Sequence, residues 1–409
     1  MTYHMMMLSS IPVAWDGSAF KTLDLWAVDL ADQVKFTQSL KLICPVREKL
    51  PTDWSGMAAI PPGIEVISMD VISPRSLAVA MSGCDIVQVH GGGSWRESTM
   101  CLSLMKEARR INIKTIVGIS SNRARTALLN SLNPFSLRNM LGIFRGFIRY
   151  ISISLVYRKL TGDADGTFIV GEGLRTLVSA RCPSLHVGTA SWIQVDDIES
   201  ARNSAEFLNT DRLRQLCIAT RLERMKGVHV GIEAIARLHK PGRASFALDI
   251  FGAGPELAAL KQQIERTGLS HMIKFNGVLA YPQPFLSQIR SYGVMLLTNL
   301  NEEQPRLIFD AISQGTLPIC PNTRPYVALN LPQALLYKVG DDADLSLTLN
   351  RVWKSTSDEL NGYWSELFAI AEQCTLNAMH RSRASWIEND ILQIQTAIPN
   401  YKKCGVGSA

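Results

Sequence analysis

Several features are missing from this 409-residue chain, and each absence removes a class of function. No uninterrupted run of about 18 apolar residues occurs, so no membrane-spanning helix is expected. There is no Lys/Arg block with interleaved aromatics, and the formal charge of +6 is spread over the whole length, so nucleic acid is a poor candidate partner. The eight cysteines, Cys44, Cys84, Cys101, Cys182, Cys217, Cys320, Cys374 and Cys404, form no Cys-x-x-Cys pair and have no histidine at metal-ligand spacing. They read as reduced thiols, which suits a cytoplasmic setting. Residues 1–15 lack the basic start, long apolar run and small-residue cleavage site of a signal peptide. No low-complexity tract or short repeat is visible.

What remains is globular: 46% apolar and 19% charged residues, in a chain long enough for two cores. The first half alternates β-rich runs with helical patterns. Met5–Ile11, Lys41–Pro45, Ile64–Met69, Asp85–His90, Thr115–Ile119 and Gly166–Val170 read as strands, with helices over Leu23–Val34, Ser76–Met81 and Thr99–Ile111 between them. Such alternation predicts a parallel, doubly wound α/β sheet.

The second half restarts the pattern. Strands are expected at Leu216–Thr220, Phe246–Phe251, Ile273–Phe275, Val294–Leu297 and Thr316–Cys320, the last containing Pro318. Helices are expected at Val230–Leu238, Pro255–Arg266, Pro284–Arg290 and Arg306–Gln314. The polar, strand-poor segment 195–212 is the expected linker. Two Rossmann-like domains follow, 1–200 and 201–375, with a C-terminal helix at 376–400 returning to the first domain. Trp353, Trp364, Leu367, Phe368 and Trp386 are the core candidates of the helical end.

In open α/β sheets ligands bind beyond the carboxyl ends of the strands, so the strand exits carry the functional search. After Leu216–Thr220 come Arg221 and Lys226, two cations able to converge on a diphosphate. Alone, such a pair is more simply a solvated surface. After Phe246–Phe251 comes Gly252-Ala253-Gly254-Pro255, a turn that lets a ligand approach or simply a tight turn. It lacks the Gly-x-Gly-x-x-Gly spacing of a dinucleotide site. After Val294–Leu297 a loop carries Glu302 and Glu303, then Gln304, Pro305, Arg306 and Leu307 open a helix with Asp310 on it. Acids in a first turn complement the helix dipole, which accounts for Glu302 and Glu303 better than for Asp310. In the first half His90 sits at a strand exit before Gly91-Gly92-Gly93, as a ligand neighbour or as a structural histidine.

Taken together these motifs resemble glycosyltransferase family 4, retaining enzymes of the two-domain GT-B type. That family carries an Arg…Lys pair, a Gly-x-Gly-Pro turn and a Glu-x7-Glu motif in this order, and the likeness covers residues 212–330 well. The resemblance implies transfer of a hexose-type sugar from a nucleoside diphosphate donor (UDP- or GDP-sugar) to a hydroxyl of a glycan or lipid-linked acceptor, in cell-surface polysaccharide synthesis. Arg221 and Lys226 would hold the diphosphate, and Glu302 would touch the sugar. Asp310 would take the place of the ribose-binding glutamate, one methylene shorter. The backbone of residues 304–307 would contact sugar and phosphates. His90 would lie near the donor sugar, and Gly17, after Asp16, near the acceptor and diphosphate. No metal or other cofactor is implied. Glu303, Asp310 and Arg324-Pro325 depart from the family pattern. They leave room for a non-catalytic GT-B partner subunit, and an inverting transferase or a sugar-nucleotide epimerase shares the fold.

The stretch from Arg138 to Lys159 mixes apolar residues with Arg145, Arg149, Arg158 and Lys159. It reads either as a basic amphipathic helix on the inner membrane face or as a core helix whose arginines reach out to water.

Overall fold

A computed structural model describes residues 3–50, 56–71, 74–91, 95–131, 140–189, 191–204, 206–239, 246–302 and 306–394. Gly92, Gly93, Glu303, Gln304, Pro305 and Cys404 therefore lie outside the described residues.

The N-terminal sheet has seven parallel strands, in the spatial order Leu185–Gly188, Gly166–Val170, Lys114–Ile119, Ile86–His90, His4–Leu8, Ser39–Cys44 and Ile64–Ser68. Its runs are apolar on both faces because both are covered. Met6, Leu8, Val87, Val89 and Ile119 point into one core, under the helices Trp95–Arg110 and Met140–Asp163. Met5, Met7, Leu40, Leu42 and Ile86 point into the other, with Leu30 of the helix Asp24–Val34. Into this second core also come Trp386, Ile387 and Ile391. The C-terminal helix Leu376–Trp386 thus packs on the N-terminal sheet, as the sequence predicts.

The C-terminal sheet has six parallel strands, ordered Ile273–Gly277, Ala247–Phe251, Gln215–Ala219, Val294–Leu296, Leu317–Pro321 and Leu336–Tyr337. Pro318 is accommodated for a definite reason. Leu317 and Ile319 bond toward the Val294–Leu296 side, whereas the Leu336–Tyr337 strand pairs only from Cys320 onward. The missing proline N–H therefore points to a stretch of strand with no partner there.

Three expectations need correction. Segment 195–212 is not a loose linker: Val195–Ser204 is a helix, and Ile193, Ile198 and Ala201 are buried in the C-terminal core. Its polar residues are the exposed face of a short amphipathic helix. Pro255 lies in the turn before its helix, which begins at Leu257. The first strand ends at Leu8 rather than Ile11. Beyond it lies an unanticipated four-stranded sheet, in the order Val46–Arg47, Val13–Trp15, Phe20–Leu23 and Met57–Ala59.

Both main sheets reverse strand order once. The reversal lies between His4–Leu8 and Ile86–His90 in one, and between Gln215–Ala219 and Val294–Leu296 in the other. Ligand crevices form at such points, and these two face each other across the domain seam. Arg125 of the first domain reaches within 4.0 Å of Glu302 of the second. At Gly173 a Cβ would stand 1.8 Å from the Glu302 carbonyl oxygen, so no other residue permits this approach.

Candidate active site in the interdomain cleft

On the C-terminal side a pocket of about 490 Å³ opens over the strand exits. Arg221, Lys226, Gly252, Arg306 and Leu307 line it, so five of the residues singled out by sequence meet there. Arg221 follows the strand Gln215–Ala219; its side chain is 79% exposed and pairs with Glu223 at 2.5 Å. Lys226 ends a short turn whose carbonyl accepts from the Thr298 hydroxyl at 2.7 Å, which fixes it beside the neighbouring strand exit. Gly252 has φ +142°, and a Cβ there would lie 1.8 Å from the Thr220 carbonyl oxygen. Glycine lets two strand-exit loops touch and form one floor. Gly254 packs behind, against Leu222.

Phe251, Val278, Leu279 and Tyr281 complete the pocket with an apolar wall. The charge-based search passed over them. The loop after Ile273–Gly277 is a strand exit like the others, and that position alone was the available signal.

Arg306 stands at the partition of the site. Its guanidinium lies 4.3 Å from the Trp192 ring centre and 4.9 Å from that of Tyr281, over two rings that meet edge-to-face at 5.9 Å. It also lines a second pocket, of about 520 Å³, at the carboxyl ends of the N-terminal strands. Ser9, Ser10, Asp29, His90, Arg123 and Arg383 contribute polar groups there. Burial, the main cause, lowers the His90 pKa below its ordinary value, and Arg123 adds to it, so the imidazole is neutral at pH 7. Arg383 is almost fully buried and donates to Gln88.

Two assignments fare differently. Gly17 lines neither pocket; it sits at the tip of a hairpin whose turn is held by Asp16 accepting from Ser18 and Ala19 at 2.9 Å. Those bonds hold the Asp16 carboxyl well below the usual range. Ser9 and Ser10 occupy the strand exit instead, because the strand stops early. Asp310 is fully buried below the pocket, not on its wall. Its Oδ1 accepts from the Tyr281 hydroxyl at 3.1 Å, and its Oδ2 lies 4.0 Å from Arg306 Nε. Glu302 stands at the seam, its side chain 32% exposed.

Burial raises the Asp310 pKa from 3.8 to about 6, against the lowering effects of Arg306 and Tyr281. The folded state thus holds this proton more tightly than the unfolded chain. The cost of the carboxylate is absent below about pH 4 and complete above about pH 6, reaching about 3 kcal/mol. Asp310→Asn should therefore gain stability relative to the parent at pH 8 compared with pH 4. Urea unfolding at the two pH values measures this, and an identical difference at both would show a solvated carboxylate.

Residues 200–366 match the family described as glycosyl transferases group 1. The C-terminal half is a glycosyltransferase domain. Solved structures of GT-B fold superpose along nearly the whole chain. Anabaena HepE in complex with UDP and glucose is 14% identical with TM-score 0.63, covering 95% of this chain and 100% of its own. Sucrose-phosphate synthase from Thermosynechococcus elongatus is 12% identical with TM-score 0.64, covering 95% and 99%. A glycosyltransferase from Rickettsia africae is 12% identical with TM-score 0.63, covering 96% and 99%. A search of curated proteins finds no match. Residues 53–148 also match a family described as NAD(P)H-binding. This segment contributes three strands of the N-terminal Rossmann-like sheet, but no Gly-x-Gly-x-x-Gly follows any of them.

Proposed function

We propose that this glycosyltransferase moves a hexose from a UDP-sugar to an acceptor hydroxyl with retention of anomeric configuration, as the family 4 resemblance implies. One observation carries the reading: Arg221 and Lys226 share a single pocket with the apolar Phe251–Val278–Leu279 wall, and that pocket meets a second, polar one at Arg306. The apolar wall suits a nucleobase, and the two cations suit the diphosphate. Structures of HepE with UDP and with UDP-glucose support a UDP-sugar donor.

In this reaction the bond from the sugar C1 to the diphosphate oxygen breaks and the acceptor oxygen bonds to C1 on the same face. The hydroxyl proton passes to the departing diphosphate. Lys226 and Arg221 stabilise the charge that grows on the leaving group. Glu302 meets the sugar hydroxyls at the seam, and neutral His90 offers a hydrogen bond from the opposite lobe. The acceptor, a glycan or a glycolipid, enters the 520 Å³ pocket. Cell-surface polysaccharide assembly is the context we infer for it.

The test is a thermal-shift series with UDP, GDP, ADP and NADPH, since a ligand of the folded state raises its melting temperature. UDP is expected to give the largest shift. A response to NADPH and to none of the diphosphates would overturn the reading. With a turned-over donor, proton NMR of the product decides the anomer.

A further inference from the structure

The helix Met140–Asp163 presents a surface that the cleft does not use. Ile143, Phe144, Phe147, Ile148, Ile151 and Leu155 are each 36–60% exposed, six large apolar side chains on one element. At 100° per residue they form one continuous stripe about 140° wide. Monomeric proteins rarely leave such a patch open. The other side of the helix does what a core helix does: Tyr157 and Leu160 are buried against the N-terminal sheet. The core-helix expectation therefore holds for one face only.

Charge says what covers the open face. Residues 140–162 contain Arg145, Arg149, Arg158 and Lys159 and no carboxylate. By the same rotation Arg158 falls within the arc of the stripe and Arg145 about 60° past its edge, while Arg149 points to the far side. Arg145 and Arg158 are exposed, and neither pairs with a carboxylate among the described residues. Lys159 is paired with Asp163 at 3.1 Å. A second copy of the chain would set these arginines against their own counterparts, with no acid on the helix to meet them. An anionic surface that receives the stripe meets Arg145 and Arg158 with it. Nor does the helix cross a bilayer: among the described residues none is long and apolar enough to do so.

Position adds to the case. The Tyr157 hydroxyl lies 3.4 Å from the Ser121 carbonyl oxygen, and its ring lies against Gly91, so residue 157 is level with two strand exits. The helix runs antiparallel to those strands, and residues 143–155 continue beyond them for roughly 20 Å at 1.5 Å per residue. The apolar stripe projects on the side where the cleft opens.

We propose that this stripe docks on an anionic lipid bilayer, with the six apolar side chains in the headgroup boundary and the arginines on lipid phosphates. The inference does not depend on the donor assignment, and its readout is binding rather than turnover. The full chain is sedimented with vesicles of phosphatidylcholine alone and of phosphatidylcholine with one-third phosphatidylglycerol. Pelleting with the anionic vesicles, weakened by high salt, is expected. The exposed double variants Phe144→Ser/Phe147→Ser and Arg145→Glu/Arg158→Glu, checked for folding by circular dichroism, should each lower the vesicle partition coefficient by about tenfold or more. Three outcomes would overturn the proposal: no pelleting of the parent with anionic vesicles, pelleting that neither variant weakens, or a dimer in sedimentation equilibrium that the phenylalanine variant dissolves.

Discussion

Lys226→Ala is expected to lower turnover of the sugar donor by about 10²-fold or more, the scale of removing one preorganised group from the developing charge. The size of the effect follows from the surroundings. Lys226 is held by the Thr298 hydroxyl bond to its carbonyl and lines the pocket at the point where two strand exits meet. Arg221 is poorly placed to substitute, because it is 79% exposed and engaged with Glu223. A charge made only as the C1–oxygen bond breaks is lost from kcat, whereas ground-state contacts of the base wall survive in KM. Lys226→Arg should recover part of the rate, since charge is kept and only geometry changes. Unchanged turnover in a folded Lys226→Ala protein would place the leaving-group stabilisation elsewhere.

Trp386→Ala should destabilise the chain by about 3–5 kcal/mol, the range for truncating a buried tryptophan. Trp386 is 6% exposed, and its indole N–H donates to the Ser184 hydroxyl at 2.8 Å. Its ring stacks on His186 at 5.4 Å, which stacks in turn on Phe168 at 5.7 Å. It also lies against Gly166. One side chain thus joins the returning helix to two strands of the other lobe. Urea unfolding gives the magnitude. Hydrogen exchange should show the loss concentrated in 376–391, with the C-terminal sheet still protected. Uniform loss over both sheets would instead mean that the lobes unfold as one unit.

The sequence shows clearly what rests on continuous apolar runs. The strands around Met5, Leu42, Val87 and Ile116 are buried on both faces and admit one interpretation. The strands Val13–Trp15 and Val46–Arg47 are too short to show a period, and Leu185–Gly188 follows Pro183 at a sheet edge, where burial is only partial. Helix Val195–Ser204 was hidden because only Ile198 and Ala201 of it are buried. In the site, cations and glycines at strand exits were legible because their chemistry stands out from their neighbours. Trp192 and Tyr281 were not, since an aromatic residue gains its role only from the arginine that folding places over the pair of rings. Asp310 was recognised by spacing, but spacing along a helix does not tell whether a residue lies on the wall of a pocket or under its floor.

The chain passes between the lobes twice, and the two passages touch. The Leu376 N–H donates to the Ile193 carbonyl oxygen at 3.1 Å, where the outgoing and returning segments run side by side. A single tether would let one lobe swivel freely on the other. A paired one restricts that freedom, which holds the lobe that carries His90 in closer register with the lobe that carries Lys226. The two pockets that share Arg306 would then stay aligned without a separate latch.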